Sequence, residues 1–166
     1  MTEIDKRVSQ LPEAELPLTG SEIIAVTQDG ESRQTSINSV LAQVRRRSHG
    51  ASWYTLTGGA LVAPLAATIE IAAKCQITSY NVLTQGGAGS CIIDIWKLQK
   101  PTLPTSIHSI CGISKPTITS GSTLFSSNFT GWSTLTFQAG DLVTFYLQSN
   151  SGFTNVSIQL MVEEIP

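Results

Sequence analysis

Along most of the chain, apolar and polar residues trade places at every second position, the period of a half-buried strand. The cleanest case is NVSIQLMVEEI (155–165). There Val156, Ile158, Leu160 and Val162 form one apolar face, and Ser157, Gln159, Met161 and Glu163 form the other. LVTFYLQS (142–149) sets Val143, Phe145 and Leu147 against Thr144, Tyr146 and Gln148. In SCIIDIWK (90–97), Cys91, Ile93 and Ile95 share one face, and Ile92, Asp94 and Trp96 share the opposite one. Segment 68–75 groups Ile69, Ile71, Ala73 and Cys75, and 76–84 alternates Thr78, Tyr80 and Val82 with Ile77, Ser79, Asn81 and Leu83. KPTIT (115–119) and WSTLTF (132–137) add shorter strands. QGGAGS (85–90) reads as a hairpin connection, and Ala139, Gly140 and Asp141 as a tight turn. Residues 100–114, with Pro101 and Pro104, read as a long loop. Seven or eight strands at this spacing, with no helical run between them, predict an antiparallel β-sandwich of jelly-roll type.

Residues 1–50 are punctuated differently. LPEAELPLTGSE (11–22), with two prolines and a glycine, predicts irregular or extended chain. EIIAVTQDGESRQTSI (22–37) predicts two short strands around Asp29 and Gly30, a strong tight-turn pair. SINSVLAQVRRRS (36–48) predicts a short helix: Ser36 is its N-cap, and Ile37, Val40, Leu41 and Val44 form one apolar stripe. Arg45, Arg46 and Arg47 then fall in the last turn, where cations suit the helix dipole, and His49 and Gly50 close it. The expected organisation is thus a small N-terminal segment, 1–50, and a β-sandwich domain, 51–166.

Charge sharpens that division. The chain has 166 residues and a net charge of −2, and only 13% of its residues are charged, about half the usual share. Residues 1–50 carry seven acidic and six basic side chains; residues 51–166 carry five and four. The balance argues against a nucleic-acid binder, which usually presents a basic face. No apolar run of about 18 residues predicts a membrane span, and the polar start MTEIDKRVSQ does not read as a signal peptide. Solvated sheet faces usually carry Lys, Glu or Asp, so a sandwich this poor in charge is expected to bury its faces in an oligomer.

The front, residues 8–43, carries Leu11 with Pro12, Leu18-Thr19-Gly20 followed by Glu22, Ile24 and Val26, Gln28 with Gly30, then Thr35 and Leu41. This pattern resembles a short module near the N-termini of bacteriophage tail fibres, tailspikes and related virion appendages. The stretches GSCIIDIWK (89–97), SICGISKPTIT (109–119), Gly131 with Trp132, and AGDLVTF (139–145) resemble the C-terminal β-domains of phage tail and appendage proteins. The resemblance implies a non-enzymatic virion protein, assembled in the host bacterial cytoplasm as a homotrimer. It implies attachment to other virion proteins through Leu11, Pro12, Leu18, Ile24, Val26, Val40 and Leu41. A host surface glycan is a further expected partner. A chain this short lacks the shaft of a typical tail fibre, which keeps a head fibre or capsid decoration protein open as the alternative.

The remaining candidates are chemical. The histidines are His49 and His108, and His108 lies three residues from Cys111 without a partner acid. A glycan depolymerase would need paired carboxylates. Glu70 and Asp94 are the pair that could be cross-strand neighbours, since Asp141 belongs to a turn and Glu163 and Glu164 to the last strand. QGGAGS lacks the Lys-Ser/Thr of a phosphate loop, and Cys75, Cys91, Cys111 and His108 lack metal-ligand spacing. Buried free thiols, no metal and no cofactor are the expectation. Asp94, Trp96 and Trp132 are the candidates for a trimer or glycan surface: an aromatic ring beside a carboxylate suits a sugar, while the competing and preferred reading packs Ile92 and Trp96 in a trimer interface or buries the strand on both faces.

Overall fold

A computed structural model describes the backbone of Ile23–Gln28 and Glu31–Ser36, and the chain from 46 to 165 apart from residue 57. The chain divides into two compact units, Met1–Val44 and Arg45–Pro166. In the first, β1 (Ile23–Gln28) and β2 (Glu31–Ser36) pair antiparallel, with Gln28 opposite Glu31, so two residues connect them. That is the hairpin expected around Asp29 and Gly30. Ile24 and Val26 lie in β1. Leu11, Pro12, Leu18, Val40 and Leu41 lie outside the described residues.

The expected helix over 36–48 is corrected at both ends. Ser36 ends β2, and Arg46 and Arg47 begin a strand, β3 (Arg46–Tyr54). The 37–45 part lies outside the described residues. The domain boundary moves with it. Gly50 sits in the middle of β3, opposite Gln159, so residues 46–50 belong to the sandwich. The ladder to the last strand wins over a marginal amphipathic turn, because about three helical turns do not hold alone.

The second unit continues with β4 (Leu65–Glu70), β5 (Cys75–Gln85), β6 (Ser90–Gln99), β7 (Thr117–Ile118), β8 (Thr123–Ser126), β9 (Thr136–Phe137), β10 (Asp141–Ser151) and β11 (Asn155–Glu164). One sheet has the order β4-β10-β6-β7. The other runs β3-β11-β5-β8, with β9 paired to the start of β5. All pairings are antiparallel. Successive strands switch sheets repeatedly, which gives the two interleaved Greek keys of a jelly roll. The chain is a mainly β protein with an antiparallel β-sandwich, as its alternation predicted.

The inner faces follow from that alternation. Cys91, Ile93 and Ile95 of β6, Val143, Phe145 and Leu147 of β10, and Val156, Ile158, Leu160 and Val162 of β11 are all buried. Each large apolar side chain among them contributes about 1.5–3 kcal/mol by leaving water. β5 departs from strict alternation. Cys75 and Ile77 are buried, then Tyr80, Val82 and Thr84, so the inward phase moves by one residue. The ladder to β11 shows why: Ile77 pairs with Val162 and Ser79 with Met161, leaving Thr78 as a bulge. Its Oγ1 donates to the Met161 carbonyl at 3.2 Å. Ile77 and Tyr80 therefore share the core, although their spacing set them on opposite faces.

Three further expectations change. The strand over 68–75 is two pieces, since β4 ends at Glu70 and Cys75 opens β5 in the other sheet. QGGAGS crosses between sheets instead of closing a hairpin, with Gly86 and Gly87 at positive φ. Of residues 132–137 only Thr136–Phe137 is strand.

Candidate functional site: the two outer faces of the sandwich

Side chains that point away from the core make two unlike surfaces. On the β4-β10-β6-β7 sheet, Ile92, Asp94, Trp96 and Leu98 of β6 stand beside Leu142, Thr144 and Tyr146 of β10. Trp96 and Tyr146 stack, with centroids 4.3 Å apart and planes 29° from parallel. Thr144 is buried and shares a 2.8 Å hydroxyl–hydroxyl bond with Thr68 of β4. The Trp96 indole N–H is shielded and meets no acceptor among the described residues.

Asp94 is 2% exposed, unusual for a carboxylate on an outer face. Its Oδ1 accepts from the Ile95 N–H at 2.8 Å and from the Ser109 hydroxyl at 2.6 Å. Lys115 Nζ lies 3.0 Å from its Oδ2 and donates to Gln148 Oε1 at 2.7 Å. Gln148 is available because the β10–β6 register slips between Leu147 and Ser149, another bulge. Ser109 and Lys115 come from the long loop after β6, which runs beside that strand: Ile110 N–H bonds the Ile95 carbonyl, and Ile93 N–H the Pro116 carbonyl. The carboxylate is therefore neutralised within the chain, and its partners pin the loop.

The other expected residues have separate places. Trp132 is not on this surface. It packs against the core, stacked 5.6 Å from Tyr80 and edge-on to Phe129, and its indole N–H donates to the Ser114 carbonyl at 3.0 Å. Glu70 and Asp94 are not cross-strand neighbours. β10 lies between their strands, Glu70 is level with Leu142 and Leu98, and Asp94 is level with Tyr146 and Ala66. Strand geometry puts their Cα atoms about 16 Å apart, whereas glycosidase carboxyl groups lie about 5–9.5 Å apart. Glu70 pairs with Lys100 at 2.6 Å. Asp141 begins β10, buried, with Lys97 at 3.1 Å and the Gln138 N–H at 2.7 Å.

The thiols are free and buried. Burial pushes Cys111 up to about 12, far from a nucleophile. His108 turns its Nδ1 to the Thr105 N–H at 3.0 Å, capping the one-turn 3-10 helix Ser106–His108. His49 lies on the inward side of β3, and burial, then the charge of Arg47, hold it below the ordinary histidine value. Among the described residues no His, Cys, Asp and Glu side chains cluster as a metal site. Among them too, no helix is long and apolar enough to cross a membrane.

The outer face of the β3-β11-β5-β8 sheet is the surface that sequence reasoning did not single out. Its rows run Arg46–Glu163–Gln76, Ser48–Met161–Ser79, Gly50–Gln159–Asn81–Phe125, Ser52–Ser157–Leu83–Thr123 and Tyr54–Asn155–Gln85. The bulge at Thr78 opens a hollow of about 480 Å³ between Arg46, Ser48, Thr78, Ser79, Met161 and Glu163. A second, of about 180 Å³, follows along Ser48, Gly50, Ser52 and Gln159. Gly50 keeps that stretch open and the strands close, since a Cβ there would strike the Ile158 carbonyl oxygen.

This is a nine-stranded sandwich of jelly-roll type, with one aromatic, self-neutralised outer face and one grooved outer face that is mostly polar but exposes Tyr54, Leu83 and Phe125. No family model and no curated protein matches the chain. Two solved structures align weakly: a serine protease of Aeromonas sobria in complex with its chaperone (ORF2), and that protease by itself. Each is 9% identical; the alignments cover 86% and 84% of this chain, with TM-scores of 0.30 and 0.29. The chain spans about a third, 36%, of each of those chains. A likeness this slight bears on neither fold nor chemistry.

Proposed function

We propose that the chain is a non-enzymatic structural protein of a bacteriophage virion. In this reading it is a short trimeric appendage, held to the particle by its N-terminal segment, and its sandwich makes host-surface and subunit contacts. The observation that carries the reading is the outer face of β4-β10-β6-β7. Its centre is the Trp96–Tyr146 stack, flanked by Ile92, Leu98 and Leu142, and its charges are cancelled within the chain by Lys115 and Lys100. Such a face gains by burial between copies of the chain, and its charges are already paired. The jelly roll is a frequent architecture of capsid and lectin domains, which supports the reading by analogy of fold. The appendage motifs in residues 8–43 and 89–145 support it by resemblance.

Light scattering on the full chain at micromolar concentration tests the assembly. A mass three times 17.8 kDa is expected, and a monomer overturns the trimer. Quantitative mass spectrometry of purified particles tests the location. A low copy number in multiples of three supports an appendage. Hundreds of copies, with loss of heat resistance when the protein is absent, would replace that reading by a capsid decoration protein.

A further inference from the structure

The geometry points to a binding trough for a neutral, linear glycan on the outer face of β3-β11-β5-β8, running along β3 and β11. It rests on the adhesion reading above and assigns the contact to the sheet opposite the aromatic one. Three observations carry it.

The two hollows both touch Ser48 and follow one another along β3 and β11, from the Arg46–Glu163 end past Gly50 to Ser52. Tyr54, 66% exposed, continues the same row of β3. From Arg46 to Tyr54 the strand covers about 26 Å. That is the footprint of an extended oligosaccharide and not of a compact metabolite.

The lining is rich in groups that match sugar hydroxyls. Ser48, Ser52, Ser79 and Gln159 offer paired donors and acceptors. Tyr54, exposed at the end of the row, offers an aromatic ring to a pyranose, and Met161 supplies a soft apolar floor.

The charge balance selects neutral ligands. Arg46 and Glu163 are opposed in register, and among the described residues neither enters an ion pair. Together they carry no net charge, and Arg47, which also lines the hollow, is paired with Glu164 at 2.8 Å. Arg46 and Glu163 present a fork of N–H donors beside a carboxylate acceptor, which suits a hydroxyl-bearing ligand and gives an anionic polymer no net attraction. An extended peptide fits less well. A docked strand seeks unpaired backbone at a sheet edge, whereas this depression lies on a sheet face, where the backbone of β11 is paired on both sides.

The test is calorimetric titration of the full chain with neutral gluco-, galacto- and manno-configured tetra- to hexasaccharides, and with an oligogalacturonate of the same length. At least one neutral series should bind, with affinity changing less than about twofold between about 20 and about 500 mM salt. Ser48→Arg, which fills the depression, and Tyr54→Ala, which removes the stacking ring, should each weaken binding about tenfold or more. Both positions are exposed, and an unchanged thermal melt confirms folding. Gln159→Ala, also exposed, is the variant to use if either of the others melts early. Preference for the acidic oligomer, salt-sensitive binding, no binding, or variants that bind like the wild type would each overturn the trough. Attachment of the trimer to host cells that survives Ser48→Arg would refute this site and leave the adhesion reading intact. Failure to form a trimer or to appear on particles would refute that reading whatever the sugar titration shows.

Discussion

At Cys111 the thiol sits in the sandwich core, and burial pushes its pKa up to about 12, from an ordinary value of 9.0. Cys75 and Cys91 shift the same way, again mainly by burial. The folded state therefore holds protons that the unfolded chain releases above pH 9. This contribution to stability is complete below that pH and is lost as pH rises toward 12. For Cys111 the expected slope is about 1.4 kcal/mol per pH unit between those two values, and the other two thiols act in the same direction. Urea melts at pH 8, 10 and 11 should show the decline, and it should be shallower in Cys111→Ala. A flat profile would refute the assignment. Asp94 gives a second test at this scale. Removing one partner of a buried pair leaves an uncompensated charge, so Lys115→Met should cost about 3 kcal/mol or more. Asp94→Asn made together with Lys115→Met should recover most of it, which a double-mutant cycle measures. A harmless single substitution would mean that Ser109 and the Ile95 amide suffice to hold the carboxylate.

Among the elements, what was legible from sequence was whatever repeats at short range. The alternation in 155–162 and 142–147 placed the β10 and β11 core correctly, and Asp29 with Gly30 placed the hairpin of the first unit. Long-range matters escaped. Arg46 and Arg47 looked like a helix end because the competing partner, Val162 and Glu163, lies more than a hundred residues away. Glu70 and Asp94 looked like neighbours because nothing local says that β10 enters between β4 and β6. The grooved face was invisible for a related reason. Its rows combine β3, β11, β5 and β8, and its depth depends on a bulge of one residue. That bulge has a measurable role. Deleting Thr78 would leave Ile77 and Tyr80 two positions apart, in the regular alternation that keeps Cys75, Ile77, Tyr80 and Val82 on the core face, so the ladder to β11 closes without the extra residue. A loss of about 1 kcal/mol is expected, close to that of Thr78→Val, which forfeits the bond to Met161. A loss of about 3–5 kcal/mol on deletion, in denaturant melts, would show that the core packing depends on the bulge itself.

For the whole molecule, the shortage of charge is a property of each face separately. The grooved face keeps Arg46 and Glu163, opposed and exposed to a ligand. The aromatic face consumes its charges in Asp94–Lys115 and Glu70–Lys100, and leaves Leu142, Leu98, Ile92 and the Trp96–Tyr146 stack half-exposed. In a free monomer that arrangement leaves a partly exposed apolar patch with charge only at its Glu70–Lys100 rim. In the proposed trimer the patch of each copy turns toward the threefold axis, and the ring closes by rotation. The consequence is specific to position. Leu142 points outward between Glu70 and Leu98, so Leu142→Lys keeps the core, gains a nearby carboxylate and places a cation in the proposed contact. The variant should be a folded monomer, with the circular dichroism of the wild type and one third of its mass by light scattering. Ser52→Lys, on the grooved face, should remain a trimer. If Leu142→Lys stays trimeric while Ser52→Lys dissociates, the copies meet through the other sheet, and the trough would then lie inside the assembly and be closed to any glycan.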